Sequence, residues 1–395
     1  MSNLSYLEKL LDGVEVEWLP LKEVLVRTKG TKITAGQMKV LHKDGAPLKI
    51  FAGGKTVAFV DFNDIPEKDV NREPSIIVKS RGVIEFEYYE KPFSHKSEMW
   101  SYYSDNDAID IKFIYHFLKL HERHFQGIGS RMQMPQIATP DTDKFLVPIP
   151  CPNNPEKSLA IQAEIVRILD AFTTMTAELT AELNMRKKQY NYYRDQLLSF
   201  DLSADQAGEG DVEWVKLSTV ANIKNGKDWK KLGSGKIPVY GSGGIMQYVD
   251  TFAYNKPTVL IPRKGSITNI FYVDEPFWNV DTIYYTELDL DKIIPKFFYY
   301  FMTTIDMMQL DTGSGRPSLT QAILNEIKIP LPTLEEQARI ISLLDKFDTL
   351  TTSLQEGLPR EIELRQKQYE YYRDLLLSFP ASPAGGPKSH SDEAA

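Results

Sequence analysis

Two distant segments of this chain are nearly the same helix. "RKKQYNYYRDQLLSF" runs from Arg186 to Phe200 and "RQKQYEYYRDLLLSF" from Arg365 to Phe379, differing at three of fifteen positions. A long-range repeat constrains the fold strongly, because each copy has to be an equivalent structural unit. The repeat extends upstream. "IQAEIVRILDAF" (Ile161 to Phe172) is answered by "EQARIISLLDKF" (Glu336 to Phe347), which aligns Gln162, Ile165, Leu169, Asp170 and Phe172 with Gln337, Ile340, Leu344, Asp345 and Phe347. "VPIP" (Val147 to Pro150) answers "IPLP" (Ile329 to Pro332), and "VEWLPLKEV" (Val16 to Val24) answers "VEWVKLSTV" (Val212 to Val220). Between these landmarks the halves diverge, although "PSIIVKSRGVI" (Pro74 to Ile84) lies opposite "PTVLIPRKGSI" (Pro257 to Ile267). The chain reads as a tandem duplication, each unit a variable globular part followed by a nearly constant helix.

The helices carry a coiled-coil seam. Ile161, Ile165, Ile168, Phe172, Met175 and Leu179 alternate steps of four and three, and Leu183, Tyr190, Tyr193, Leu197 and Phe200 resume the pattern. The extra four-residue step between them is a stutter, which unwinds a supercoil locally, and it coincides with the tandem "TAELTAEL" (Thr176 to Leu183). The second seam is Ile340, Leu344, Phe347, Leu350 and Leu354, then Tyr369, Tyr372, Leu376 and Phe379. "EGLPRE" (Glu356 to Glu361) interrupts it, and Pro359 predicts a kink or break there.

The globular parts contain β-branched and aromatic runs with glycine turns, which predict strands. "DIKFIYHFLKLHERHF" and "DKIIPKFFYYFMTT" predict short amphipathic helices at matching places. The fold class is therefore α+β, with two similar mixed domains and two long helices in an internal pseudo-twofold repeat. The expected boundaries are 1–157 for the first domain, 158–200 for a central helix, 201–332 for the second domain and 333–379 for a C-terminal helix. The Pro/Gly/Ser/Ala-rich tail 380–395 is expected to be disordered.

Composition is ordinary for 395 residues, with 42% hydrophobic and 25% charged. No apolar run approaches a membrane span, the N-terminus is too charged for a signal peptide, and the single cysteine, Cys151, fits a reducing cytoplasm. The net charge of −8 argues mildly against nucleic acid as the partner, but the stretch Trp214 to Lys236 holds six lysines and one acid.

Catalytic motifs are missing. "GGKT" (Gly53 to Thr56) lacks the first glycine of a phosphate loop, and "GSGK" (Gly233 to Lys236) lacks the final Ser or Thr; turn glycines between strands are the expected reading of both. His116, His121 and His124 cluster without the spacing or cysteines of a zinc site and are expected on a helix surface. No nucleophile triad, paired catalytic carboxylate, base-methylation motif or cofactor loop stands out, so neither a cofactor nor a metal is expected. The chain reads as a binding and architectural protein.

Basic loops remain. Lys79, Ser80 and Arg81 in the first unit correspond to Arg263 and Lys264 in the second. "GIGSRMQ" (Gly127 to Gln133) and "GSGRPS" (Gly313 to Ser318) supply Arg131 and Arg316, and the lysine-rich stretch supplies Lys224, Lys227 and Lys230. Glycine permits close backbone approach, and arginine binds phosphate or a guanine edge with two hydrogen bonds. A solvated turn is the alternative for any one of them, but recurrence at corresponding places favours DNA contact.

The duplicated plan resembles the specificity subunit (HsdS) of type I restriction-modification systems over nearly the whole chain. The similarity is most specific in "NPEKSLAIQAEIVRILDAF", "TAELTAELNMRKKQYNYYRDQLLSF" and "GLPREIELRQKQYEYYRDLL", which look like the conserved regions of the IC subfamily. The resemblance implies that each globular part is a target recognition domain reading one half of a bipartite double-stranded DNA site. It implies that the two helices pack antiparallel as a spacer on which two methyltransferase subunits dock, and that restriction subunits join to form the nuclease. The residues placed in that spacer and docking surface are Thr176, Leu179, Leu183, Tyr190, Tyr193, Arg194 and Leu197, with Tyr369, Tyr372, Arg373 and Leu376 in the second copy. A pseudo-twofold chain suits DNA, which has local twofold symmetry, and the divergent globular parts predict unlike half-sites. Two competing readings are a DNA-modifying enzyme, which needs a catalytic motif, and a coiled-coil scaffold, which leaves the basic globular parts unexplained.

Overall fold

Five buried residues in a row, Ser75–Lys79, form a central strand of the first globular part. A run buried on both faces is what a strand covered on both sides requires. It pairs antiparallel with Glu85–Tyr89 and with Trp100–Tyr103, and Trp100–Tyr103 pairs in turn with Val26–Lys29. A second sheet joins the hairpin Leu48–Phe51 and Val57–Val60 to the parallel strand Phe93–His95. Val16–Pro20 and Leu146–Pro150 form a separate antiparallel pair. The computed structural model describes residues 6–130, 133–200, 212–312, 315–353 and 356–380.

The second globular part repeats this order. Ala221–Asn225, Ile283–Leu288, Thr258–Pro262 and Phe271–Val273 are adjacent in a four-stranded sheet; Gly244–Val249, Ser234–Gly241 and Trp278–Asn279 form the three-stranded one; Glu213–Lys216 pairs with Lys328–Leu331. "GGKT" is a turn, as expected, but "GSGK" is not, because Ser234–Lys236 open a strand. The tail beyond Pro380 lies outside the described residues.

A single helix, Pro155–Leu197, runs unbroken through "TAELTAEL" for 43 residues. Two 19-residue helices follow near the end, Leu334–Thr352 and Leu358–Leu376. The break between them falls in the segment expected from Pro359. Gly357 there has φ +110, and a β-carbon on it would lie 2.5 Å from Thr349 O, so glycine is needed at this turn. The seam residue Leu354 lies outside the described residues.

The chain divides into two compact units, Met1–Glu178 with Ile362–Ala395, and Leu179–Glu361. The division cuts the long helix inside "TAELTAEL". Each unit is closed by one copy of the repeated segment. In the first, Leu376, Leu377 and Phe379 are buried with Ile161, Ile165 and Phe113, and Phe379 meets Phe113 edge-on at 5.8 Å. In the second, Leu198 is buried with Ile340 and Leu344, and Phe200 meets Phe297 at 6.4 Å. The C-terminal copy therefore completes the first unit, and the middle copy completes the second. Each fully buried Leu or Phe contributes about 1.5–3 kcal/mol.

Two aligned residues fasten each helix to its globular part. Gln162 is fully buried; its Oε1 accepts from Asp110 N at 2.9 Å and its Nε2 donates to Ala108 O at 3.0 Å. Gln337 does the same with Ile294 N at 2.8 Å and Lys292 O at 3.0 Å. One turn or two further on, Asp170 accepts from Lys112 Nζ at 2.9 Å and His116 Nε2 at 3.0 Å. Asp345 accepts from Lys296 Nζ at 2.8 Å and the Tyr300 hydroxyl at 2.5 Å. The expectation of a surface histidine is corrected at His116: it is buried, its Nε2 bonded to Asp170 across the helix contact, while its Nδ1 has no hydrogen-bond partner among the described residues. His121 and His124 pack against Phe145.

Candidate nucleic-acid interface

Three loops meet in each unit. The first follows the central strand. At its end Gly82 has φ +81 and Gly265 has φ +88, a backbone region that glycine enters without strain. The second loop, ahead of each unit's last strand, is described at Pro135–Ile137 in the first unit and at Pro317–Leu319 in the second. Gly82 N donates to Pro135 O at 2.8 Å and Ile137 N to Ser80 O at 3.0 Å; Gly265 N donates to Pro317 O at 3.0 Å and Leu319 N to Arg263 O at 2.8 Å. Arg81 sits opposite Gln136, and Lys264 opposite Ser318. In each unit the basic loop after the central strand is thus paired with the residues that end or follow the glycine/arginine stretch, 135–137 in the first unit and 317–319 in the second, and this two-stranded platform is built the same way twice.

The third loop is the hairpin turn of the smaller sheet. In the first unit it is Ala52 to Thr56, closed by Ala52 N donating to Thr56 O at 3.0 Å, and a β-carbon on Gly53 would touch Arg81 O at 3.7 Å. In the second, a β-carbon on Gly265 would lie 3.2 Å from Ser242 Oγ and 3.4 Å from Arg316 Nη2. Asn269 Nδ2 holds this turn by donating to Ser242 O at 3.1 Å. Lys55, Ser242 and Asn269 were not among the residues singled out from sequence. "GGKT" attracts attention only as a broken phosphate loop, and its proximity to Arg81 depends on a long-range pairing.

Side-chain placement separates the basic residues. Arg81, Lys264 and Arg316 are exposed and form no salt bridge among the described residues. Arg263 is half-buried; its Nη1 donates to Asp281 O at 3.4 Å and its guanidinium lies 6.0 Å from the Tyr284 ring. Lys227 and Lys230 are exposed on a loop whose backbone is pinned, with Trp278 Nε1 donating to Lys227 O at 2.9 Å. Lys79 and Lys224 are strand residues instead. Lys224 pairs with Glu287 at 3.3 Å. Lys79 is buried, 2.7 Å from Glu87 and 3.5 Å from Glu85. Burial alone would push its ammonium pKa down, but the two glutamates carry it above the ordinary value, so the charge is held and neutralised in place. Ser80 is also buried, donating to Glu98 O at 2.8 Å. Arg131 lies outside the described residues.

On the helices, Arg194 lies 5.8 Å from the Tyr190 ring and Arg373 5.8 Å from the Tyr369 ring. Tyr193 and Tyr372 are each 39% exposed, and their neighbours Tyr192 and Tyr371, missed from sequence, are 58% and 64% exposed. Leu179, Leu183 and Leu197 are half-buried, and Thr176 donates to Phe172 O at 2.9 Å. Leu376 is buried in the first unit's core, turned away from any outer surface. Among the described residues no group of three or more His, Cys, Asp or Glu is arranged to hold a metal, and no helix is long and apolar enough to cross a membrane.

The sequence pattern of the "Type I restriction modification DNA specificity domain" matches this chain twice, over residues 21–186 and 209–364. The chain belongs to the type I restriction-modification specificity family. The two matches coincide with the two globular parts and the helix that follows each. Among its relatives, the EcoR124I/EcoR124II specificity subunit of Escherichia coli is 39% identical over 416 aligned residues, covering 96% of this chain and 98% of that protein. The EcoprrI specificity subunit of E. coli is 35% identical, covering 90% and 93%. The solved S subunit of a type I restriction-modification system from M. genitalium covers 94% of this chain and 98% of its own, with a TM-score of 0.63 at 19% identity. The specificity family's fold, two mixed α/β domains with long conserved helices, is therefore the fold of this chain.

Proposed function

We propose that this chain is the DNA sequence-recognition subunit of a type I restriction-modification complex, each globular part reading one half of an asymmetric, bipartite site. The observation that carries this reading is the doubled loop platform. Its backbone hydrogen bonds are the same in both units, while its side chains differ: Arg81 against Lys264, Gln136 against Ser318, Lys55 against the Ser242 turn. Constant geometry with variable side chains is what two readers of unlike half-sites need.

In this reading Arg81 and Lys55 face DNA in the first unit, and Arg131, outside the described residues, is assigned to DNA contact from the sequence alone. Arg263, Lys264 and Arg316 do so in the second, where Lys227 and Lys230 grip phosphates. Lys79, Ser80 and Lys224 support the platform from behind through their own partners. Methyltransferase subunits, two per chain, dock on the repeated helices through the exposed Tyr192 and Tyr371 and the half-exposed Tyr193 and Tyr372; restriction subunits complete the nuclease. The relatives' naming as specificity subunits supports a chain that selects sequence and leaves methyl transfer and cleavage to its partners. Such a complex works on DNA in the cytoplasm. The net charge of −8 is compatible with this if the partners supply much of the phosphate grip. The test is to assay methyl transfer from S-adenosylmethionine to DNA by the chain alone, by the methyltransferase subunits alone and by the two together. Sequence-specific transfer is expected only from the combination; turnover by the lone chain would overturn the reading.

A further inference from the structure

Among the described residues, nothing pairs with the outer side of the edge strand of the second unit's smaller sheet. Gly244–Val249 lies at the edge of its sheet, and Ile245, Met246, Gln247 and Tyr248 are exposed in succession. Alternate side chains of a strand point to opposite faces, so both faces are open to solvent here. Ile245 is 49% exposed, Met246 58% and Tyr248 50%. Proteins usually blunt such an edge with charge, proline or a covering segment. The first unit does so: at its equivalent edge strand, Val57–Val60, Phe59 N donates to His42 Nδ1 at 3.0 Å and Lys43 N donates to Phe59 O at 2.8 Å. Four consecutive exposed positions, three of them large and apolar, are a cost without a partner.

We propose that this strand enters a groove of the second DNA half-site and is a specificity-determining element that the first unit lacks. Two features select DNA as the occupant. The strand is continuous with the platform, since a β-carbon on Gly241 would lie 2.4 Å from Met246 Sδ and the next residue, Ser242, borders Gly265 and Arg316. Exposed lysines also stand on this sheet, among the acids Asp228 and Asp250. Trp229 and Leu232 pack against the cluster of Val239, Val249 and Val280, which holds Lys230 and Lys231 close to the sheet, and Lys236 is exposed on the paired strand. Lysines take the phosphates while apolar side chains meet base edges, and the major groove, about 12 Å wide, admits a two-stranded ribbon.

This inference rests on the DNA-reading function proposed above, and its test keeps the two apart. The full chain is assembled with its methyltransferase subunits as wild type, as Ile245→Ala/Met246→Ala/Tyr248→Ala, and as Lys264→Ala/Arg316→Ala. Binding is measured on the cognate duplex and on duplexes altered in either half-site. The triple variant should bind the cognate duplex about tenfold or more weaker and discriminate less at the second half-site, with discrimination at the first and assembly unchanged. If it binds and discriminates like wild type while Lys264→Ala/Arg316→Ala does not, the strand inference is overturned and the DNA-reading platform stands. If neither variant alters binding, the platform falls as well. If the triple variant loses its partner subunits but retains DNA discrimination, the strand is a protein-docking edge and the inference is overturned.

Discussion

Phe172 stacks on Tyr372, with ring centroids 5.2 Å apart and planes inclined by 19°, and Tyr193 stacks on Phe347 at 5.7 Å and 28°. Phe172 and Phe347 are equivalent residues of the two repeats, as are Tyr193 and Tyr372. Each pair takes its phenylalanine from one repeat and its tyrosine from the other. The first unit is thus completed by the C-terminal copy and the second by the middle copy that directly precedes it, which explains why the repeated segment occurs twice.

A double-mutant cycle on Phe172→Leu and Tyr372→Leu should give a coupling of about 0.5–1.5 kcal/mol in denaturant unfolding, the value of an aromatic pair beyond its buried area. The Phe347/Tyr193 cycle should give a similar figure. Independent, additive effects at both pairs would show that the stacking does not hold the helices.

Asp170 links pH to the stability of the first unit. The hydrogen bond from His116, with Lys112 beside it, holds its carboxyl below the ordinary aspartate value of 3.8 against the opposing effect of burial. A depressed carboxyl stabilises the fold above its unfolded value, and that contribution disappears as pH falls through the lower, folded value. Asp170→Asn should therefore cost about 1–3 kcal/mol at pH 7 and flatten the loss of stability below pH ~4. Equal stability of variant and wild type at pH 7 would remove Asp170 as an anchor.

Lys79 and Arg81 sit two residues apart and should behave oppositely. Lys79→Ala removes the nearer of the two lysines on Glu87, leaving Lys49 at 3.3 Å, and should cost about 1 kcal/mol of stability. Arg81→Ala should change stability by less than about 0.5 kcal/mol but weaken cognate DNA binding by about 1–3 kcal/mol. Thermal unfolding and duplex titration of the assembled complex check both, and a destabilised Arg81→Ala with intact DNA affinity would reverse the assignment.

A third TAEL should add one base pair to the gap between half-sites and leave both half-sites alone. Four helical residues add about 6 Å and about 400°, a net phase of about 40°. A base pair contributes about 3.4 Å and about 34–36°. Length falls between one and two base pairs, whereas phase matches one, and a domain rotated out of its groove cannot be rescued by stretching. Mapping methylated sites for the three-TAEL variant gives the gap directly; an unchanged gap would show that this segment is not the ruler.

Much of the fold was legible because the repeat carries it. Gln162 with Gln337 and Asp170 with Asp345 align in sequence and make equivalent bonds, even though Asp170's partner His116 is answered by Tyr300. The break is marked in the sequence by Gly357, which makes the turn, and Pro359, which sits in the first turn of the helix that follows. The platform was legible in part, since "KSRG" and "RKG" mark one loop of each unit and the arginine segments another. What sequence hides is where a strand ends and what lies across from it. Lys79 looks like part of a basic loop, but it is the last residue of a strand paired with Glu85 and lies beside Glu87. Ser242 and Lys55 join the platform only because hairpin turns of unlike sequence come to the same place.

The central claim is that each unit reads its own half-site. The direct measurement is long-read mapping of methylated adenines in cells carrying this chain with its methyltransferase subunits, before and after residues 201–332 are exchanged for the corresponding segment of a relative. The account predicts a two-part asymmetric site in which the exchange rewrites one half and keeps the gap and the other half. A change in both halves, or a site that does not respond to the exchange, would contradict it.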